Sequence, residues 1–167
     1  MRRPRFAAVE ETRKRAVDAD STIQLCAFRV GDEEYAIDLR RVEEILRPPR
    51  LARVPHAPSW VEGVINLRGA IVPVIDLRKW LRFTRSETAA KPKCIICRVG
   101  RDRVGILVDG ATEVLRVRVS DLRPVPPAMA GAAPRLVLGV CGAEDKLKLL
   151  LDLKSILSSA APTLMGD

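Results

Sequence analysis

The chain has few aromatic side chains and a single histidine, and it lacks any long hydrophobic run. Only six of its 167 residues are phenylalanine, tryptophan or tyrosine, which argues against a platform that stacks on bases. No apolar segment approaches the roughly 20 residues that a membrane-spanning helix needs. Residues 1–15 also lack the apolar region of a signal peptide. We therefore expect a cytoplasmic protein without direct membrane insertion, whose core is built from small branched side chains.

The usual components of a catalytic site are missing as well. The single histidine, His56, lies in a proline-flanked loop, and the nearest serine, Ser59, has no nucleophile-elbow sequence around it. No glycine-rich phosphate loop occurs, because the glycines fall at predicted strand turns and strand ends. The sequence thus predicts a binding module with no catalytic residue and no cofactor, and not an enzyme.

The four cysteines do not form a convincing metal site. Cys94-Ile-Ile-Cys97 has the spacing of a zinc knuckle, but the isoleucines indicate a strand, in which residues three apart point to opposite faces. Cys26 and Cys141 also lie in strand-like runs, without a second knuckle. We expect buried, reduced thiols and no bound metal.

The formal net charge of +8 is spread over the whole chain. Basic and acidic residues are mixed, and no dense basic run has aromatic residues between its charges. The excess of positive charge still leaves open a small β-barrel protein that binds nucleic acid. Such a protein would lose affinity steeply as the salt concentration rises.

A hairpin is predicted in the segment from Trp60 to Leu81, WVEGVINLRGAIVPVIDLRKWL. Two β-branched runs flank the turn Asn66-Leu67-Arg68-Gly69, where the glycine tolerates the positive φ of a tight turn. Pro73 predicts an edge strand or a bulge, since it has no N–H to donate. Asp76 predicts the cap of a short helix. Arg68 is the only charged residue between Glu62 and Asp76. The residues alone allow either a solvated turn arginine or a functional cation.

Similar short elements are predicted in the rest of the chain. A hairpin turns at residues 31–34, and Asp38 caps a helix that carries Leu39, Val42, Ile45 and Leu46 on one side until Pro48-Pro49 end it. A three-stranded meander covers 94–119, and a last hairpin of 136–151 precedes a terminal helix capped by Asp152.

A weak internal repeat relates the two halves of the chain. Arg29-Val30-Gly31 matches Arg98-Val99-Gly100, and Asp76-Leu77 matches Asp152-Leu153. Each half reads as a hairpin, a middle element, a second hairpin and a capped helix. We expect two small β-units with a groove between them: the first about 30–95, the second about 96–150 plus the chain ends. Residues 1–21 are predicted to be a mobile basic tail and 158–167 a frayed end.

These elements carry a family resemblance. GDEEYAIDLRRVEEIL, PSWVEGVINLRGAIVPVIDLRKWL, VGILVDGATEVL and LLLDLKSIL follow one another in an order that resembles the CheW family of chemotaxis coupling proteins. The resemblance covers about residues 24–157, and its most specific part is GVINLRGxIVPVIDL. It implies a mainly β fold of two five-stranded SH3-like barrels, packed together with short capping helices.

The resemblance also implies a function. CheW proteins are scaffolds that bridge methyl-accepting chemoreceptors and the histidine kinase CheA in signalling arrays that control motility. In such proteins the receptor tip lies in the groove between the barrels, and the regulatory domain of the kinase packs barrel to barrel. The chain is too short for the kinase itself or for a relative with a phosphoacceptor domain, so a stand-alone coupler in the cytoplasm, associated with receptor arrays, is expected.

Matching the family motifs residue by residue implies two sets of contacts. The implied receptor-binding residues are Arg68, Glu44, Val42 and Gly63, with an ion pair between the first two if they approach each other. The implied kinase-binding residues are Val42, Glu44, Ile45 and Arg123. The chain departs from the family at Pro126-Pro127-Ala128, where an aromatic residue is expected next to the second ring contact.

Overall fold

The computed structural model describes residues 21–80, 91–125, 137–142 and 146–164, with backbone alone for residues 111, 112 and 159–164. The fold is mainly β, with short helices at the ends of strands. In chain order the elements are β1 (Thr22–Val30), β2 (Glu33–Asp38), a 3-10 helix (Leu39–Arg41), β3 (Val42–Leu46), β4 (Val61–Leu67), β5 (Ala70–Asp76), α1 (Leu77–Trp80), β6 (Lys93–Val99), β7 (Asp102–Val108), β8 (Gly110–Arg118), a 3-10 helix (Val119–Asp121), β9 (Val137–Cys141), β10 (Lys148–Leu151) and α2 (Leu153–Leu164).

The strands form two five-stranded sheets that are equivalent strand for strand. The first sheet has the order β8-β1-β2-β10-β9, and the second has the order β3-β6-β7-β5-β4. Neighbouring strands are antiparallel except β2 with β10 and β5 with β7, which are parallel and occupy equivalent positions. The predicted hairpins β1–β2, β4–β5, β6–β7 and β9–β10 are confirmed.

The strand pairing divides the chain differently from the predicted subdomains. Residues 42–108 supply the whole second sheet, whereas the first sheet takes β1 and β2 from one end of the chain and β8 to β10 from the other. In each half the chain passes to the other sheet after its first hairpin and remains there: β3 to β5 join β6 and β7 in the second sheet, and β8 to β10 join β1 and β2 in the first. The repeat is therefore present, but each sheet is assembled from both halves.

Both crossings correct a predicted element. Asp38 does cap a helix, since its carboxylate accepts the N–H of Arg40, but this helix ends after three residues and 42–46 is a strand. Val42 pairs with Cys97, so the strand ladder outweighs the helical spacing of its apolar residues. The predicted three-stranded meander is likewise wrong, because β8 pairs with β1 and not with β7. The terminal helix, expected to fray from residue 158, continues to Leu164.

Asp109 links the two sheets where the chain passes from β7 to β8. Its N–H donates to the carbonyl of Arg29 (2.9 Å), and its Oδ2 accepts the N–H of Gly31 (2.5 Å) in the β1–β2 turn. Its Oδ1 lies 3.3 Å from Nη1 of Arg78. Arg78 is on α1, the short helix that follows β5 of the second sheet. One largely buried carboxylate thus joins both sheets.

Of the two alternatives predicted for Pro73, the edge strand is wrong, because β5 lies between β4 and β7, and the register shift of the β4–β5 pair falls between Val61 and Gly63 of β4. Pro73 faces Val64, whose N–H and carbonyl both bond to Ala52 on the far side of β4. Val64 and Pro73 are therefore a non-hydrogen-bonded pair of the antiparallel ladder. On the other side of β5, pairing with β7 begins only at Val74. The missing N–H of proline therefore leaves no gap in the ladder.

Three clusters of buried side chains form the core. One lies within each sheet, and the largest lies between the sheets and contains residues of both. Cys94 packs inside the second sheet and Cys97 packs between the sheets, which confirms that the two thiols point to opposite faces. In the described part of the chain, no helix has the length and apolarity that crossing a bilayer requires.

Candidate partner-binding site around Arg68

Arg68 lies at the tip of the β4–β5 hairpin in an unusual backbone conformation. Its φ is 51° and that of Gly69 is 86°, so both central residues of the two-residue turn are left-handed, as a type I′ turn requires. The side-chain oxygen of Asn66 accepts the N–H of Gly69 at 2.9 Å and holds the turn. A left-handed conformation costs a non-glycine residue about 1–2 kcal/mol. Strain of this kind is found at functional sites when the surrounding structure maintains it.

The guanidinium of Arg68 pairs with Glu44 on β3. Nη2 of Arg68 lies 3.1 Å from Oε2 of Glu44, and the arginine side chain is 76% exposed whereas that of Glu44 is 23% exposed. The other oxygen, Oε1, is buried and has no hydrogen-bond partner among the described residues. The exposed guanidinium offers several hydrogen-bond donors to a binding partner, while Glu44 holds it in place.

The pair lies where the two edges of the second sheet are joined. We call this junction, formed by the bridge between Ala52 and Val64, the seam. β3 and β4 are the two edges of this sheet, and the chain after β3 reaches β4 through a bridge between Ala52 and Val64. The two backbone hydrogen bonds of the bridge are 2.9 and 2.8 Å long. Glu44 and Arg68 lie on either side of this seam, so tertiary structure and not sequence proximity brings them together.

Gly63 is buried on β4 and allows the seam to close. A Cβ at this position would lie 2.4 Å from the carbonyl oxygen of Ala52 and 3.1 Å from Cβ of Leu51. Backbone on the neighbouring segment leaves no room for any side chain. Gly63 therefore acts on the site by letting Ala52 approach β4, and it offers no side chain to a partner.

Val42 and Ile45 have different environments on β3. Val42 is half-buried and packs against the core between the sheets, while Ile45 is 40% exposed. A bulge between Val42 and Glu44 shifts the register of β3 against β6. The intervening Glu43 forms ion pairs with Arg98 and Arg103, which hold the bulged strand against its neighbours. Val42, Glu44 and Ile45 are thus brought together on one edge strand.

Arg123 lies apart from these residues, on the first sheet. It is exposed, and its backbone forms a two-hydrogen-bond bridge with Val140 of β9 (3.0 and 2.8 Å). The bridge is equivalent to the one between Ala52 and Val64 in the other sheet. The implied kinase contacts therefore fall on both sheets, and Pro126-Pro127-Ala128 lies outside the described residues.

Ile71 is a surface residue, although it belongs to the β-branched run that follows the turn. It is 66% exposed and faces Asn66 beside the turn, whereas Val72 and Val74 are buried. Alternation of faces alone does not identify it, since Ile75 has the same parity on β5 and is fully buried; Ile71 is exposed because it lies at the turn end of the strand. An exposed isoleucine next to Arg68 adds apolar surface to the hairpin tip.

The thiols of the described residues are poorly suited to chemistry. Burial raises the pKa of Cys94 to about 11, and burial likewise raises the pKa of Cys26, Cys97 and Cys141. These side chains are protonated near neutral pH, and a protonated thiol is neither a nucleophile nor a metal ligand. No group of three potential metal ligands occurs among the described residues. The geometry around Arg68 can bind a partner through charge, hydrogen bonds and apolar contact.

Comparison with known proteins identifies the family. The family model described as the CheW-like domain matches residues 24–161. A chemotaxis protein CheW of Rhizobium meliloti is 35% identical over 136 residues, which cover 81% of this chain and 88% of that protein. A chemotaxis protein CheW of Klebsiella aerogenes is 34% identical over 142 residues, with 84% of each chain covered.

A solved structure of the same family is also similar to this chain. The scaffolding protein TtCheW of Thermoanaerobacter tengcongensis superposes with a TM-score of 0.72 at 27% identity, covering 79% of this chain and 90% of that one. Its likeness supports two packed SH3-like β-units, and the comparisons do not support the nucleic-acid-binding alternative. The chain therefore belongs to the CheW family of chemotaxis scaffolding proteins.

Proposed function

We propose that this protein couples methyl-accepting chemoreceptors to the histidine kinase CheA in a signalling array and thereby controls motility. It does so without catalysis, by binding both partners at the cytoplasmic tips of the receptors. It reaches the membrane through the receptors and not by insertion. The observation that supports this assignment best is Arg68, which a strained turn and a carboxylate partner hold at the hairpin tip.

We assign receptor binding to Arg68, Glu44, Val42 and Gly63. The exposed guanidinium is free to add hydrogen bonds to a receptor helix while Glu44 keeps it in place. Val42 supplies apolar contact, and Gly63 contributes through the closed seam. Recognition of this kind places a helix in a groove, with charges that set its register.

We assign kinase binding to Val42, Glu44 and Ile45 on the second sheet and to Arg123 on the first. Ile45 is the exposed apolar residue of this set, so it is the best candidate for a contact that is buried only in the complex. The two sets share Val42 and Glu44. Arg68 and Gly63 belong to the receptor set alone, and Ile45 and Arg123 belong to the kinase set alone.

These differences allow the two binding functions to be separated. Arg68→Glu should weaken binding to receptor-bearing vesicles by roughly 10- to 100-fold, because it removes the cation and places a second carboxylate beside Glu44. Ile45→Glu should weaken binding to the kinase regulatory domain and spare the receptor. Arg101→Glu, at the exposed β6–β7 turn, makes the same change in charge as Arg68→Glu and is the matched control.

Co-sedimentation with receptor vesicles and calorimetric titration with the kinase domain measure the two affinities. Thermal unfolding of each variant shows whether the fold is intact. A receptor affinity of Arg68→Glu within about twofold of the wild type, with the same melting temperature, would refute the assignment of Arg68. Equal losses for Arg68→Glu and Arg101→Glu would show that net charge, and not this site, drives binding.

A further inference from the structure

A second surface lies at one end of the first sheet, away from Arg68. A cavity of about 580 Å³ opens where β1 begins and where β2 and β10 end. Its apolar walls include the half-buried Ile23 and Leu138, with Leu25 and Leu150 buried beneath them in the core of the first sheet. A volume of this size accommodates several side chains of a ligand.

The rim of this cavity is mostly basic. Arg40, Arg41, Arg116 and Lys154 line it, against only two carboxylates, those of Asp38 and Asp152. A basic rim around an apolar floor selects for ligands that combine negative charge with an apolar group.

Both carboxylates are engaged within the protein. Asp38 accepts the N–H of Arg40 at 2.9 Å and pairs with its guanidinium at 2.8 Å. Burial raises the pKa of Asp38, but the hydrogen bonds and charge of Arg40 outweigh it and the pKa is lowered. Asp152 caps α2 by accepting both the N–H and the hydroxyl of Ser155.

Three cations of the rim are therefore left for a ligand. No ion pair joins Arg41, Arg116 or Lys154 to a carboxylate within the described residues. These three cations and the apolar floor are complementary to a ligand that carries carboxylates beside an apolar group.

We propose that this cavity docks an acidic segment of a partner protein. The carboxylates of the segment bind Arg41, Arg116 and Lys154, and an apolar side chain of the segment enters the cavity over Ile23 and Leu138. None of Val42, Glu44, Gly63 and Arg68 lines this surface. It is a third contact, beyond the receptor and kinase contacts proposed above, and does not depend on them.

The test uses the full chain and a short fluorescein-labelled peptide of glutamate and leucine, with binding followed by fluorescence anisotropy. Arg116→Glu and Lys154→Glu, both at exposed positions, should each weaken binding by about tenfold, because each converts an attraction into a repulsion. Arg101→Glu, which lies on the other sheet, should weaken it by less than about twofold. A peptide with serine in place of leucine should bind much more weakly than the leucine peptide.

Each alternative has its own result. Equal losses for all three charge variants would overturn the proposal in favour of non-specific attraction to net charge. Equal affinity for the serine peptide would show that the apolar cavity is not used. Binding to phosphatidylserine vesicles that depends on Arg116 and Lys154, without binding of the peptide, would assign the surface to lipid. Self-association abolished by the same two variants would assign it to a second copy of the chain.

Discussion

Replacing Gly63 by alanine tests how this residue contributes to the site around Arg68. The added Cβ would lie 2.4 Å from the carbonyl oxygen of Ala52, about 1 Å closer than an ordinary contact. The segment between β3 and β4 that contains Ala52 must therefore move away from β4. Both hydrogen bonds of the bridge between Ala52 and Val64 would be lost or lengthened.

The structure sets the size of the effect. Two backbone hydrogen bonds contribute about 1 kcal/mol each, and loosening of the seam adds a similar amount, so Gly63→Ala should cost about 3 kcal/mol. For a chain of this length that corresponds to a fall in melting temperature of roughly 6–12 °C. Gly69→Ala is the matched control, since nothing lies within 4 Å of its added Cβ and only its φ of 86° is unfavourable. It should cost about 1 kcal/mol.

Differential scanning calorimetry measures both variants, and receptor co-sedimentation at low temperature follows binding. Gly63→Ala should lose stability and receptor affinity together, because one displacement of the seam causes both. A melting temperature within about 2 °C of the wild type, combined with lost receptor binding, would refute this reasoning. Gly63 would then be a point of direct contact with the receptor.

Two further predictions concern the core. Asp109→Asn should lower the free energy of unfolding by about 1–3 kcal/mol, because it weakens the charged bond between Asp109 and Arg78. Urea titration measures this change, and an unchanged unfolding midpoint would show that the link is not needed. Burial raises the pKa of Cys94 from 9.0 to about 11, so its contribution to stability is complete below pH 9 and falls as the pH rises towards 11, by about 1.4 kcal/mol per pH unit. Stability curves of the wild type and Cys94→Ala should diverge in slope across this window, and parallel slopes would contradict the shift.

The sequence determined the elements whose signals are local. Alternation of apolar residues and turn glycines are short-range, which is why the hairpins β1–β2 and β4–β5 and the turn at Arg68 could be predicted. The hairpin motif NLRG also identified the family, and with it Arg68 and Glu44 as candidates. The weak repeat indicated two similar β-units, but it placed one in each half of the chain, whereas each sheet draws its strands from both halves.

Tertiary structure decided how these elements are joined. Apolar spacing in 42–46 fits a helix and a strand alike, and only the pairing of Val42 with Cys97 makes it a strand. The passage of the chain from one sheet to the other at β3 and at β8 depends on partners distant in sequence, which no local pattern specifies. Three features depend on this arrangement: the ion pair of Arg68 with Glu44, the closeness of Gly63 to Ala52, and the basic rim at the end of the first sheet. Local propensity selects the strands, and burial of the core between two sheets that neither half can build alone selects their arrangement.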